Sequence, residues 1–410
     1  MEDYNIATLP NGIRVIHKEV PTTRIVHCGF ILDIGSRDEE PHQQGLAHFW
    51  EHMAFKGTRK RKAFHIINRL ESVGGELNAY TTKEKICFYA SALSKHFEMA
   101  VELLADITFD SVFPEKQIER ERKVILEEMS MYYDNPEDAI QDEFESLVFP
   151  NHPLGYNILG TQESVKSFVR EDFKKFISEN INTEKIVFSC VGALPFSKVL
   201  KIARKYLDDV PRLSANKQRK PLSPYKPQIR QVRRPLTQAQ CAIGRTAYSL
   251  HDPKRYVFFT LINILGGPGM NSRLNLELRE KYGYVYSIDA NYSAFTDSGL
   301  FSIYFGTDPN QLDKSIRLAL KELKKLKSSY LGSLQLHRAK EQIMGQLAMA
   351  EENYTSLMLM LGKSLLDLGR VVPLEEVFDN IRAITPSDLI ETANEMFDPD
   401  NLSYLTFVPN

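Results

Sequence analysis

Three residues in one short string carry the strongest chemical signal in this 410-residue chain: His48, Glu51 and His52, within Gly45-Leu-Ala-His-Phe-Trp-Glu-His-Met-Ala-Phe-Lys-Gly57. On a helix turning 100° per residue, these three share a sector of about 100°. Leu46, Phe49, Trp50 and Met53 fall on the opposite side. One face therefore packs, and the other presents two imidazoles and a carboxylate. Two histidines at i and i+4 reach a single metal ion, and a carboxylate just before the second histidine lies beside the ion's open position. That chemistry suits zinc. A surface helix carrying chance histidines gives the same string, so the motif alone is insufficient.

A catalytic zinc takes three protein ligands and a water. The richest source of a third is Glu119-Arg-Glu121-Arg-Lys-Val-Ile-Leu-Glu127-Glu128. Glu121 and Glu128 stand seven residues apart and share a helix face, whereas Glu127 points about 100° away. Spacing by itself does not select one of these glutamates. The order H-x-x-E-H inverts the common metallopeptidase motif H-E-x-x-H.

The elements that position these residues are legible in outline. Residues 25–34, 85–93 and 185–191 read as strands, and residues around 45–55, 64–73 and 115–132 as helices, the last ended by Asp134-Asn-Pro136. Residues 208–235 hold five prolines and many Lys/Arg with few apolar side chains, which reads as a solvated surface linker. Beyond it the textures recur in the same order. Residues 114–149 match 331–369, and 163–194 match 378–409, at an offset of about 218. The expected organisation is a duplicated α/β unit: 1–207, a linker at 208–235, and 236–410.

Composition narrows the function class. Charged residues make up 25% and the hydrophobic set 43%, with 51 Lys+Arg against 53 Asp+Glu, so no basic field exists to hold nucleic acid or an anionic membrane. No run of about 18 apolar residues spans a bilayer. Cys28, Cys87, Cys190 and Cys241 are widely separated and read as buried reduced thiols. The N-terminal MEDYNIATLPNGIRV lacks signal and transit patterns, and a cytoplasmic setting is expected.

HFWEH followed 76 residues later by Glu128 resembles the pitrilysin/insulinase-type zinc metallopeptidases, the inverted zincins, in particular their short bacterial members and the mitochondrial processing peptidase β subunit. The likeness runs over essentially the whole chain, through GGELNAYTTKE (74–84), ERKVILEEM (121–129), HPLGYNILGT (152–161) and NSRLNLELREKYGYVYS (271–287). Trp50 stands where leucine is usual, on the packing face.

The resemblance implies an α+β (α/β) fold of two homologous domains, each a mainly antiparallel sheet flanked by helices, arranged as half of a clamshell. It implies one zinc per chain on His48, His52 and Glu128, Glu51 as general base, and Glu121 as a supporting carboxylate. Asn78, Ala79 and Tyr80 would lie on an edge strand that pairs with an extended peptide. Arg279 and Tyr286 would hold substrate carbonyls and the developing oxyanion. The activity implied is endoproteolysis of peptides or unfolded segments inside a closed chamber. Because both HxxEH and the Arg/Tyr pair stand in one chain, a homodimer is expected, in a bacterial cytoplasm. The competing reading is a non-catalytic structural or assembly subunit, whose members usually lose ligands that here all stand. The second half holds only His251 and His337, and Gly345-Gln346 lies near the Glu128 equivalent.

Overall fold

A computed structural model describes residues 4–216 and 218–410. Its strands are β1 (Asn5–Thr8), β2 (Arg14–Glu19), β3 (Ile25–Leu32), β4 (Glu76–Thr81), β5 (Ile86–Leu93), β6 (Ile186–Gly192), β7 (Ile229–Arg234), β8 (Ala239–Ala247), β9 (Val285–Ala294), β10 (Gly299–Thr307) and β11 (Ser403–Pro409). They form two sheets, a six-stranded one ordered β1-β2-β6-β3-β5-β4 and a five-stranded one ordered β7-β11-β8-β10-β9. In the first, β2 pairs parallel with β6 and the other pairings are antiparallel. The second repeats this, with β7 parallel to β11 and the rest antiparallel. Apart from the β1 hairpin the topologies coincide, as expected of a duplicated α+β unit.

The chain forms two compact units whose composition crosses the sequence halves. One gathers the described residues of Met1–Met129, Tyr156–Arg219 and Met349–Val371; the other gathers Ser130–Gly155, Lys220–Ala348 and Val372–Asn410. The expected boundaries 1–207 and 236–410 follow chain order; each compact unit instead takes one helix from the other half.

Physical chemistry explains the exchange. β3 (IVHCGFIL) and β6 (IVFSCVG) are apolar on both faces, and β6 is buried throughout. A strand with that composition needs cover on two sides. In the first unit one side packs Phe30, Phe88 and Phe188 against Phe49 and Trp50. On the other, Ile16, Val187 and Val191 meet Leu357, Met358, Leu361 and Leu365 of the helix Tyr354–Leu368. Gly362 lets that helix approach closely, since a Cβ there would stand 2.4 Å from Ile31 Cδ1. In the second unit Phe144 of the helix Pro136–Val148 packs with Ala242, Leu300, Leu405 and Phe407. Both exchanged helices follow a break in a long helical run. Asn135 accepts from the Glu137 N–H with Pro136 in the first turn, and Asn353 accepts from the Ser356 N–H.

The stretch 208–235 departs from a plain solvated linker. β7, IRQVRR, is an edge strand, and its arginines hide the strand signal because polar edges are what sheet ends tolerate. Arg219 is mostly covered rather than solvated. Its guanidinium reaches Asp33 (2.9 Å), Asp38 (3.0 Å) and Glu84 (3.6 Å), beside Lys85, which binds Asp33 (3.0 Å) and Asp367 (2.7 Å). Burial alone would raise the Asp33 carboxyl, but Lys85 and Arg219 overcome it and hold Asp33 below the usual carboxylate range.

Arg219→Ala is expected to destabilise the protein by about 3 kcal/mol at pH 7, because it takes one counter-charge from each of Asp33, Asp38 and Glu84 in a largely buried cluster. A depressed folded pKa contributes stability that is present above the unfolded value of about 3.9 and lost as pH falls through the folded value. The gap between wild type and variant should therefore narrow at pH 3. Urea unfolding at the two pH values measures it, and an equal gap at both would contradict the assignment.

Candidate metal centre and active site

The motif helix, Leu46–Ala54, starts where Gly45 adopts φ 91°, and a Cβ there would stand 2.4 Å from the Leu159 carbonyl oxygen, so only glycine fits. Gly45 has no side chain to cap the helix. Glu39 does so from outside, its carboxylate accepting from the N–H groups of Gly45 (2.9 Å) and Ala47 (2.7 Å). Burial pushes the Glu39 carboxyl up to about 8, while those two donors and Lys83 pull the other way. Phe49, Trp50 and Met53 are fully buried, with the Trp50 ring 6.1 Å from Phe88 and 6.4 Å from Phe176. That face anchors the helix, and His48, Glu51 and His52 project from the other.

The second supporting helix is Glu115–Asp134. Ile118 and Ile125 bury its inner face, and this rotation turns Glu121 and Glu128 toward the histidines while Glu127 stays exposed. Glu128 Oε2 lies 3.8 Å from His48 Nε2 and 3.6 Å from His52 Nε2. One ligand atom from each of these residues lies within 4.8 Å of the others. Glu121 Oε2 lies 3.4 Å from His52 Nδ1, and Glu121 Oε1 accepts from Lys56 Nζ at 2.8 Å. An ionised carboxylate only accepts, so the His52 proton sits on Nδ1 and Nε2 keeps its lone pair. His48 Nδ1 is buried without a hydrogen-bond partner, so only His52 has its tautomer set.

The electrostatics agree with a cation-binding donor set. Burial first, then His52, lowers His48 to about 3, which keeps it a neutral imidazole. Burial raises Glu128 against the pull of His52, and raises Glu51 against Thr81 and His52. Burial also works to raise Glu121, but its hydrogen bonds with His52 and Lys56 prevail and lower it. Three carboxyl groups thus meet two imidazoles and one lysine. A divalent cation on two imidazole nitrogens and a carboxylate oxygen fits that charge and that donor chemistry.

Asn78, Ala79 and Tyr80 lie on β4, the edge of the six-stranded sheet. Asn78 is exposed. The Tyr80 side chain is turned away into a site with the Cys87 thiol, with Lys363 5.0 Å from its ring, which leaves the backbone to offer a partner. Arg279 sits on the π-helical turn Asn275–Lys281 and Tyr286 on β9, with the guanidinium 5.6 Å from the ring centroid. Tyr286 is 84% exposed, so its hydroxyl is available to a ligand.

A model of the insulinase family (peptidase family M16) matches residues 14–162, and a model of the peptidase M16 inactive domain matches 167–343. An "Uncharacterized zinc protease" of Rickettsia bellii is 33% identical over 98% of this chain and 99% of its own length. The chain belongs to the M16 peptidase family. "Uncharacterized zinc protease YmxG" of Bacillus subtilis is also 33% identical, over 96% of this chain and 95% of its own. The fold matches a crystal structure of a protease from Helicobacter pylori (TM-score 0.90, 22% identity, 99% of each chain). It also matches a peptidase M16 inactive domain from Pseudomonas fluorescens (TM-score 0.92, 19% identity, 99% of this chain and 98% of that one).

Sequence reasoning missed Glu39, Lys56 and Thr81, whose hydroxyl donates to Glu51. Lys56 stands four residues after His52, a readable helical spacing. Glu39 acts across a loop, and no pattern announces it. Replacing Glu39 with Ala would leave two buried N–H groups without an acceptor. It should cost about 3 kcal/mol in urea unfolding, and Glu39→Gln, which keeps one acceptor oxygen, about half as much. A near-neutral Glu39→Ala would show that the cap is dispensable.

Proposed function

We propose that this chain is a zinc-dependent endopeptidase acting on peptides or unfolded segments. The observation that carries this is the convergence of His48 Nε2 and His52 Nε2 on Glu128, with Glu51 one helical position before His52. The printed names of the relatives, which call them zinc proteases, support the choice of metal.

His48, His52 and Glu128 would hold the ion. Bound zinc supplies a Lewis acid that polarises the scissile carbonyl and acidifies a water molecule. Glu51 takes the proton of the attacking water on its carboxylate and returns it to the leaving amine. Its burial, which raises its proton affinity, suits both transfers. Glu121 fixes the His52 ring through Nδ1. An extended peptide adds to the free edge of β4 through backbone hydrogen bonds, with Asn78 as a side-chain contact and Ala79 and Tyr80 contributing main chain. Arg279 and Tyr286 are assigned to substrate carbonyls and to the oxyanion, on the family likeness and on their mutual contact.

Glu51→Gln is expected to retain zinc and to lose cleavage of a quenched peptide by on the order of 10³-fold. His48→Ala should lower bound zinc itself. Metal content and peptide turnover measure both. Undiminished turnover in Glu51→Gln would remove its role as base. A wild-type protein with full zinc that cleaves no member of a diverse peptide pool would overturn the peptidase reading.

A further inference from the structure

Glu51 carries two carboxylate oxygens, and proton transfer needs one of them aimed at the reacting water. The side chain that restrains the other is Thr81, whose Oγ1 donates to Glu51 Oε2 at 2.6 Å. Thr81 is the last residue of β4, where successive side chains alternate between faces. Leu77 and Ala79 pack against the core that also holds the motif helix, and Thr81 continues the same face. Tyr80, between them, points the other way, toward Lys363 and Tyr89. The alternation of one edge strand therefore delivers a hydroxyl to Glu51 from outside its helix.

The register is well determined. Thr81 lies opposite Ile86, and Ala79 opposite the fully buried Phe88. Slipping β4 by one residue would turn Thr81 outward and aim Tyr80 or Thr82 at the helix. The hydroxyl is a short donor, at the distance of a strong O–H···O hydrogen bond.

We propose that Thr81 is a positioning residue for the hydrolytic reaction. By occupying Glu51 Oε2 it leaves Oε1 to accept the water proton, and it ties the aim of the base to the strand on which the peptide is seated. This rests on the reading of Glu51 as general base. A peptide that pairs with β4 stiffens the strand that holds Thr81, so seating the substrate and orienting the base involve the same short segment. Thr81 itself touches neither water nor peptide in this assignment; it acts through Glu51.

The test compares Thr81→Val, which keeps the side-chain shape and removes the donor, with Thr81→Ser, which keeps the donor and removes the methyl group. Glu51→Gln runs in parallel. Zinc per chain, kcat and KM for a quenched peptide are measured on the full chain. Thr81→Val is expected to keep zinc and KM near wild type and to lose kcat by on the order of 10- to 100-fold. Thr81→Ser should return kcat to within about threefold of wild type, since the hydrogen bond is restored. Wild-type kcat in Thr81→Val alongside an inactive Glu51→Gln overturns the role of Thr81 and leaves the base intact. A change confined to KM, or a Thr81→Ser as slow as Thr81→Val, also overturns it, by assigning the effect to strand packing. Full activity in Glu51→Gln instead refutes the reading of the base.

Discussion

The site depends on two helices that face each other, each held by the apolar side it turns to the core. Glu121 and Glu128 bring two carboxyl groups of the second helix to the His48 and His52 imidazoles of the first, with Lys56 Nζ beside Glu121. This cluster spans two elements, and their placement sets it. Its members are held by what their elements do on their opposite faces. Phe49, Trp50 and Met53 commit one helix to the core, Ile118 and Ile125 commit the other, and the carboxylates have no alternative position. Glu39 accepts from free N–H groups at the start of the motif helix through both of its carboxyl oxygens. Buried apolar surface and one cap thus hold this donor set in place.

The exchange of helices serves the same end. The sheet that supports the motif helix is buried on both faces, and its second cover, Tyr354–Leu368, comes from the far end of the chain. Ser189 Oγ donates to the Met358 carbonyl, and Lys85 binds Asp367, so that helix is fixed by polar contacts as well as by packing. A strand such as β6, with seven buried residues, would expose a continuous apolar face without it. The first unit is therefore completed only by a helix that lies about 160 residues beyond β6 in the chain.

How much of this was legible follows from the range of the interactions involved. The motif helix, the glutamate helix and β3, β5 and β6 were readable because periodicity is a local property. The duplication was readable because textures recur in order. β7 was not, since an edge strand written IRQVRR tolerates charge and has no alternation to detect. The ion pairing of Arg219 depended on three carboxylates, Asp33, Asp38 and Glu84, lying far away in sequence. The choice of Glu128 over Glu127 needed the rotation of a helix, which Ile118 and Ile125 set but acidic neighbours obscure. Thr81 and Glu39 reach the motif helix from a strand and a loop, and contacts of that kind leave no spacing rule behind.

The two units also differ in a way that explains how one topology supports chemistry in one place and not in the other. In the second unit the helix Arg255–Gly266 follows β8 as the motif helix follows β3, and Ser333–Glu351 takes the place of Glu115–Asp134. Where the first pair of helices faces His48 with Glu128, the second faces Asn263 with Gln346, joined by a 2.9 Å hydrogen bond from Asn263 Nδ2 to Gln346 Oε1. A second amide pair, Asn271 and Gln342, exchanges two bonds nearby. Neutral amides satisfy one another and ask for no ion, whereas imidazoles beside a carboxylate leave lone pairs directed at a shared point. The same helix pairing can therefore be closed by amide hydrogen bonds or left open for a metal, and a few side-chain identities on a common frame separate the two.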